Sequence, residues 1–174
     1  MRANRRKRPP VMSAGRWIAL SCTAIVLILI ALNWYYRSVQ TPVWKEEQAA
    51  EAEAKDRGSL SSVDSSYHYV WDEPVWIVKG KDHNSHTTYV WLKPNESSIT
   101  LREDEGITKD EMKERFLLGK PDASISHLKL GLFGGEPVWE VFYSRDQAGV
   151  TNHYYEFYRF RDGVFLITYK LPAR

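Results

Sequence analysis

The sequence predicts an α+β protein, in which an N-terminal transmembrane helix precedes two tandem units, each with one helix packed on an antiparallel sheet of three to four strands. Three features support this prediction. An uncharged apolar run near the N-terminus is long enough to span a bilayer, helix-forming stretches alternate with strands rich in aromatic and β-branched residues, and one six-residue pattern occurs twice. With 174 residues, 43% hydrophobic and 13% aromatic, the chain can bury packed cores.

The apolar run extends from Trp17 to Tyr36 and contains no charged residue. A helix of this length spans about 30 Å, which is the thickness of the hydrocarbon core of a bilayer. Arg16 and Arg37 bracket the run, and tryptophan and tyrosine lie at its ends, where such rings prefer the headgroup level. Residues 1–16 carry six cations and no acid, which predicts a cytoplasmic N-terminal tail in a single-pass cell membrane protein and an extracytoplasmic C-terminal part.

Two other interpretations of the apolar run compete with a membrane anchor. A secretory signal peptide would need small residues at a cleavage site, but the run ends in Leu32–Tyr36. Cys22 could suggest a lipoprotein, but Ala19–Ser21 match such a signal poorly. Because Cys22 is the only cysteine, we expect no disulfide in the exported part. The net charge of +2 reflects the basic tail, so it does not indicate nucleic-acid binding.

Residues 37–43 are predicted to form a short tether after the transmembrane helix, with a helix-ending proline at Pro42. Residues 44–103 are predicted to form the first unit. Trp44–Arg57 is rich in Ala, Glu and Lys and is predicted to be helical, with alanines that can lie close against a sheet. From Tyr67 onward, turns rich in Asp, Asn, Ser and Pro separate four strands: YHYVW, VWIVKGK, TTYVWLK and SITLR.

Residues 104–174 are predicted to repeat this arrangement. Thr108 and Glu111 have the spacing of a capping box, so we expect a helix over Lys109–Leu118. Asp162-Gly163 is predicted to form a two-residue hairpin turn. The four strands that follow the helix are ISHLKLGLF, PVWEVFYSR, HYYEFYRFR and VFLITYKL.

The two units share a short sequence pattern. Glu73-Pro74-Val75-Trp76-Ile77-Val78 and Glu136-Pro137-Val138-Trp139-Glu140-Val141 are identical at five of six positions and lie 63 residues apart. Tryptophan is rare, so this agreement at the same place in two strands indicates a tandem duplication. Each copy would have a marginal core alone, which predicts that the two units pack together.

Catalytic, cofactor and metal signatures are weak throughout the sequence. Asp82, His83 and His86 could contribute metal ligands, but their spacing is unspecific and they fall in a predicted hairpin turn, where polar residues are expected. Asn95-Glu96-Ser97 matches a glycosylation sequon, a pattern that is common by chance. The sequence therefore predicts no catalytic residue, no cofactor and no metal site.

Aromatic residues are unusually dense outside the apolar run. Large side chains can fill small cores that lack disulfides, or a surplus of rings can line a surface that binds a protein. On the second interpretation the candidate partner-binding aromatics are Trp76, Trp91, Trp139, Tyr155 and Phe157.

The layout resembles the YpmB-like family, also called TseB-like cell wall elongation regulators, of Gram-positive bacilli. The resemblance rests on the N-terminal anchor, the helix EEQAAEAEAK and the strands VWIVKGKD…TTYVWL and PVWEVFYSRD…YYEFYRF. Each unit also resembles a PepSY-type, cystatin-like module, although the PepSY ending Asp-x-x-(T/S)-Gly is lacking: Arg161-Asp162-Gly163 stands in one unit and Lys93–Glu96 in the other.

The resemblance implies a non-enzymatic regulator that binds a penicillin-binding transpeptidase of lateral wall synthesis, with no nucleic acid and no small-molecule substrate. The PepSY-like pattern implies a second possibility, an inhibitor or regulator of an extracellular protease. An enzyme is the third possibility, for which the sequence offers no nucleophile or acid–base pair.

Overall fold

The computed structural model describes residues 14–94, 97–147 and 149–172, with the side chains of residues 14 and 38–43 left undescribed. The chain divides into two compact units, which meet in sequence between Lys45 and Glu46. Most of the predicted basic tail, and the Asn95-Glu96 part of the sequon, lie outside the described residues.

A single helix, α1 (Ala14–Arg57), runs through the predicted span, the predicted tether and the first predicted helix of the folded part. The expectation that Pro42 ends a helix is therefore wrong. Proline removes one backbone donor and biases the preceding residue away from helix, but it marks a boundary only on average. Gly15–Arg37 is long and apolar enough to cross a membrane, by length and composition, and none of it is buried in the structure.

The first sheet contains four antiparallel strands in the order of the sequence. It starts at Leu60, earlier than the predicted Tyr67, because the serine-rich segment before Tyr67 pairs with the second strand through two register shifts. The intrinsic strand propensity of serine and aspartate is low, so this segment is not recognisable as a strand from its composition. It forms a strand because the second strand pairs with it. The strands are β1 (Leu60–Val70), β2 (Pro74–Asp82), β3 (Thr87–Leu92) and β4 (Ile99–Arg102).

The end of α1 packs on one face of this sheet. Ala50 and Ala54 are buried, whereas Ala49 and Ala52 are exposed, so one side of the alanine-rich helix makes the contact. Small side chains at this contact let the helix lie close to the strands. The cluster that they form contains Ala50, Ala54, Leu60, Val78, Val90 and Leu92.

The connection to the second sheet contains a short 3-10 turn over Glu103–Glu105 and α2 (Lys109–Gly119). The predicted capping box is confirmed: the Glu111 N–H donates to Thr108 Oγ1 at 3.3 Å, and the Thr108 N–H donates to Glu111 Oε2 at 2.9 Å. Helix α2 buries Met112 and Phe116.

The second sheet is again antiparallel and in sequence order. Gly134 and Gly135 both have positive φ and form a tight turn between its first two strands. The prediction of a two-residue turn at Asp162-Gly163 is wrong, because the Arg159 N–H donates to the Val164 carbonyl and closes a longer loop. The strands are β5 (Ser124–Phe133), β6 (Glu136–Gln147), β7 (Val150–Arg159) and β8 (Phe165–Lys170).

Both sheets and α2 contribute to one continuous core. The face of the first sheet that points away from α1 packs against α2 and the second sheet. Trp91 Nε1 donates to the Gly131 carbonyl at 3.0 Å, and Tyr67 Oη donates to the Leu130 carbonyl at 2.8 Å. The protein is thus α+β, with an N-terminal apolar helix and two four-stranded antiparallel sheets.

Candidate protein-binding surface

Three of the five aromatic residues predicted to bind a partner are in the core. Trp91 is fully buried, Phe157 is fully buried and Trp139 is 3% exposed. Trp139 Nε1 donates to the Ile107 carbonyl at 2.8 Å, at the entrance to α2, which satisfies its only donor. In this structure these three rings present no surface to another protein.

Trp76 and Tyr155 each keep part of their surface exposed. Trp76 lies 5.3 Å from His68, measured between ring centroids, in a groove of about 330 Å³ that α1 and the first sheet line together. Tyr155 lies on the face of the second sheet opposite to the Trp139 face, because successive side chains along a strand alternate between faces.

Tyr155 belongs to a row of rings that crosses the second sheet, one from each strand. The register pairs His127 with Phe142, Phe142 with Tyr155, and Tyr155 with Tyr169. Ring centroids are 4.5 Å apart for Phe142 and Tyr155 and 5.2 Å apart for His127 and Phe142. We call His127, Phe142, Tyr155 and Tyr169 the aromatic row.

The aromatic row is only half covered. Trp71, from the turn between β1 and β2, packs on its β8 side, with ring centroids 5.2 Å from Tyr155 and 5.5 Å from Tyr169. The β5 side stays accessible, because Phe142 and His127 are only half-buried there. Tyr169, at the covered end, is still 38% exposed. Contiguous partly exposed rings are typical of protein-binding surfaces.

The sequence pattern alone does not identify Phe142, Tyr169 or Trp71 as members of this surface. A period of two would have placed Phe142 on the face opposite to Trp139, but the partner residues on β7 and β8 depend on registers that the sequence does not reveal. Trp71 contacts the row from the turn between β1 and β2, and this contact depends on the packing of the two sheets, which the sequence does not reveal.

A buried carboxylate lies beside the aromatic row. Glu140 is 2% exposed; it accepts hydrogen bonds from Tyr69 Oη at 2.6 Å and interacts with His127 Nε2 at 2.8 Å and Lys129 Nζ at 3.4 Å. Tyr69 comes from the first sheet, so this contact joins the two sheets. Burial, and then the hydrogen bond to Glu140, raise the pKa of the Tyr69 hydroxyl, which keeps it a donor.

A second buried carboxylate lies on the opposite face. Glu156 accepts hydrogen bonds from Tyr143, Tyr158, Lys120 and Thr168, at distances of 2.6 to 2.9 Å. Burial alone would oppose ionisation, but the hydrogen bonds from Lys120 and the two tyrosines outweigh it and lower the pKa of Glu156.

A cleft of about 530 Å³ lies along β5, between the sheets and the start of α2. Lys79, Lys109 and Lys129 line it together with Tyr67 and Tyr89. Tyr89 Oη donates to Glu103 at 2.7 Å. Apolar side chains, including Ile77 and Leu128, line the cleft as well, and the hydroxyl groups of both tyrosines donate hydrogen bonds within the protein.

The turn that contains Asp82, His83 and His86 is a self-contained hairpin. Asp82 Oδ1 accepts from the backbone N–H groups of Asn84 and His86, and its other oxygen lies 3.2 Å from His86 Nδ1. Among the described residues, no group of three His, Cys, Asp or Glu side chains is placed to hold a metal ion.

This chain is similar to proteins described as cell wall elongation regulators. Residues 49–93, from the end of α1 to just after β3, match the family described as the cell wall elongation regulator TseB-like domain. The chain is 27% identical over 136 residues to the probable cell wall elongation regulator TseB of Bacillus subtilis strain 168, which covers 75% of this chain and 82% of that protein.

A solved structure shows the same fold. The YpmB protein from Bacillus subtilis matches with a TM-score of 0.62 and 26% sequence identity, over 71% of this chain and 96% of that one. The resemblance to the TseB-like, or YpmB-like, cell wall elongation regulators is thereby confirmed, in the domain at residues 49–93 and across most of the chain.

Proposed function

We propose that this protein is a membrane-anchored, extracytoplasmic, non-enzymatic regulator of cell wall elongation that binds a penicillin-binding transpeptidase. The observation that carries the proposal is the similarity, over most of the chain, to a protein named as a probable regulator of cell wall elongation. The same similarity favours a Gram-positive cell.

The apolar part of α1 supports anchoring. Gly15–Arg37 is long enough to cross the hydrocarbon core, and Trp17, Trp34 and Tyr35 lie near its ends, at the depth that amphipathic rings prefer. The excess of cations before this segment favours a cytoplasmic N-terminus, which would leave both sheets outside the cell.

The repeated Glu-Pro-Val-Trp pattern supports two tandem PepSY-like units. Trp76 lies in the groove beside α1, and Trp139 donates to the carbonyl that precedes α2. Each tryptophan thus lies near a helix that packs on its own sheet, as a duplicated unit requires.

The polar chemistry of the folded part supports a binding role. Glu140 and Glu156, the two buried acids among the described residues, each accept hydrogen bonds from several donors. These donors lie on both sheets or, for Lys120, directly after α2. A carboxylate in such a setting stabilises the fold. The aromatic row is the surface that we propose for the transpeptidase, since Phe142 and Tyr155 offer adjacent, partly exposed rings.

A pull-down from crosslinked cells tests this proposal. We expect the full chain, carrying an affinity tag, to recover a penicillin-binding transpeptidase, identified by its label after exposure to a fluorescent penicillin. Phe142→Ala should lower the recovery at least fivefold, because a half-buried ring at the centre of an interface contributes about 1 to 2 kcal/mol. Leu118→Ala is the matched control, since Leu118 is 86% exposed on α2, away from the aromatic row.

Recovery of no penicillin-binding protein by the unaltered chain would refute the proposed partner. The runner-up, a PepSY-type inhibitor or regulator of an extracellular protease, makes a different prediction: the purified chain would slow proteolysis by a secreted protease. The PepSY-like pattern of the strands favours that alternative.

A further inference from the structure

Within the described part of the chain, the second sheet ends in an edge strand, β8, that has no further strand paired with its outer side. The Leu171 N–H donates to the His153 carbonyl at 2.9 Å, so His153 and Leu171 form a hydrogen-bonded pair. Such pairs alternate along an antiparallel ladder, and the register places Tyr155 opposite Tyr169 and Glu156 opposite Thr168. The N–H and C=O groups of Thr168 and Lys170 therefore point away from β7.

The other three sheet edges are protected. β1 contains two register shifts and an exposed Asp64, and β4 has only four residues. β5 has a register shift, and two of its carbonyls accept hydrogen bonds from side chains of the first sheet. Bulges, short length and covering contacts are the usual protections against edge pairing.

β8 has little of this protection. Its sequence Phe-Leu-Ile-Thr-Tyr-Lys contains no proline and one charge, at Lys170. Phe165 is 52% exposed and Tyr169 38% exposed. Its one register shift lies at its start, and the pairing from Ile167 to Lys170 is regular.

We propose that β8 pairs antiparallel with β8 of a second copy of this chain, centred on Tyr169. In this register Thr168 of each copy faces Lys170 of the other, so the outward N–H and C=O groups form four hydrogen bonds across a two-fold axis. No charge faces a like charge. This proposal goes beyond regulation of the cell wall and does not depend on the identity of the transpeptidase.

The aromatic row supports a second copy as the occupant. The row ends at Tyr169, on the strand that lies at the edge. With Tyr169 facing its own equivalent, the rows of the two copies join into one that crosses eight strands, and aromatic residues that face each other across antiparallel strands stabilise the pairing. The binding surface of one copy would then be continuous with that of its partner.

Site-directed disulfide formation in membranes tests the pairing. Cys22 is the only cysteine, so the full chain would carry Cys22→Ser. The Cα atoms of a non-hydrogen-bonded antiparallel pair lie about 4.5 Å apart, within the range of a disulfide. We expect Tyr169→Cys in this background to give at least ten times more crosslinked dimer under mild oxidation than Leu118→Cys, which reports random collisions.

Two further substitutions distinguish the effect of losing a backbone hydrogen bond from the effect of losing the Lys170 side chain. Lys170→Pro removes an outward N–H but no hydrogen bond to β7, and should lower the crosslinking of the Tyr169→Cys chain to the Leu118→Cys level. Lys170→Ala should leave it unchanged. If Lys170→Pro fails to fold, Tyr169→Lys provides a second test, because it would place the lysines of the two copies opposite each other. Light scattering in detergent should then show this variant of the purified full chain as a monomer and the unaltered chain as a dimer.

Equal crosslinking at positions 169 and 118 would overturn the proposal. A crosslink from position 169 to a different protein, with none between two copies of the chain, would also overturn it, in favour of a foreign strand at the same edge. A stronger self-crosslink at position 167 or 171 than at 169 would exclude this register.

Discussion

A hydrogen bond from the Tyr69 hydroxyl to Glu140 joins the first sheet to the second. Tyr69 Oη donates to the carboxylate from β1 at 2.6 Å, and Glu140 is 2% exposed, so without this hydroxyl a buried carboxylate would lose one of its donors. Hydrogen bonds to buried charges contribute more to stability than those to neutral groups.

Tyr69→Phe tests this contact. We expect the free energy of unfolding to fall by about 2 kcal/mol, against about 1 kcal/mol for Tyr67→Phe, whose hydroxyl donates to the neutral Leu130 carbonyl. Urea unfolding of the full chain in detergent, followed by near-UV circular dichroism, measures both. If Tyr69→Phe lowers the free energy of unfolding no more than Tyr67→Phe does, the hydrogen bond to Glu140 is not the stronger of the two contacts between the sheets.

Glu156 makes the stability of the protein depend on pH. Its folded pKa is lowered, because hydrogen bonds from Lys120, Tyr158 and Tyr143 to the carboxylate outweigh the effect of burial. The resulting stabilisation is fully present above the unfolded pKa of about 4.3 and is lost as pH falls through the folded pKa.

Glu156→Gln should therefore lower the free energy of unfolding at neutral pH by about 2 kcal/mol. Its stability should also fall less steeply than that of the unaltered chain below about pH 4.3. Glu114→Gln, at an exposed position of α2, should keep the original pH dependence. If the free energy of unfolding depends on pH in the same way in all three proteins, ionisation of Glu156 does not determine that dependence.

At the scale of elements, the contact between α1 and the first sheet depends on small side chains. Ala54 is completely buried between Val78, Val90 and its neighbours, whereas Ala52 is exposed. Added methyl groups at a filled contact force the helix away from the sheet.

Ala54→Leu should destabilise the fold by about 1 to 3 kcal/mol. Ala52→Leu should change stability by less than about 0.5 kcal/mol. Thermal unfolding of the two variants, monitored by near-UV circular dichroism, compares them directly. Equal melting temperatures would mean that this helix face does not pack as tightly as the burial of Ala54 indicates.

The elements with a strong local signal could be predicted from the sequence. Thr108 and Glu111 specify the start of α2, and alternating aromatic and β-branched residues specify β2, β3 and β5 to β8. Local sequence signals did not predict two elements correctly. Leu60–Ser66 forms a strand because β2 pairs with it, and α1 continues through Pro42 as one helix.

At the scale of the whole molecule, the candidate surface was harder to predict than the fold, because packing between distant elements decides which rings are exposed. Burial of Trp91, Trp139 and Phe157 depends on the packing of two sheets and a helix that are distant in sequence. Tyr155 and Trp71 meet across the two sheets for the same reason. Ring type and local pattern identify aromatic residues but not which of their faces remain free.

Two truncations separate the membrane anchor from the folded part. A chain that starts at residue 44 lacks the apolar segment but keeps Ala50 and Ala54, so we expect it to be recovered in the soluble fraction, folded. A chain that starts at residue 58 also lacks both alanines, which leaves Val78 and Val90 exposed to water. Exposure of these side chains costs about 25 cal/mol for each Å² of apolar surface, so this chain should melt at least about 10 °C lower or aggregate.

Membrane fractionation and thermal unfolding of the two truncated chains measure these outcomes. If the chain from residue 44 remains with the membrane after an alkaline wash, a surface other than the apolar part of α1 holds the protein there. If the chain from residue 58 melts at the same temperature as the longer one, α1 stabilises neither sheet and its only role is in the membrane. Release of the longer chain together with loss of stability in the shorter one would assign both roles to α1: its apolar segment as the anchor and its end as part of the first sheet's core.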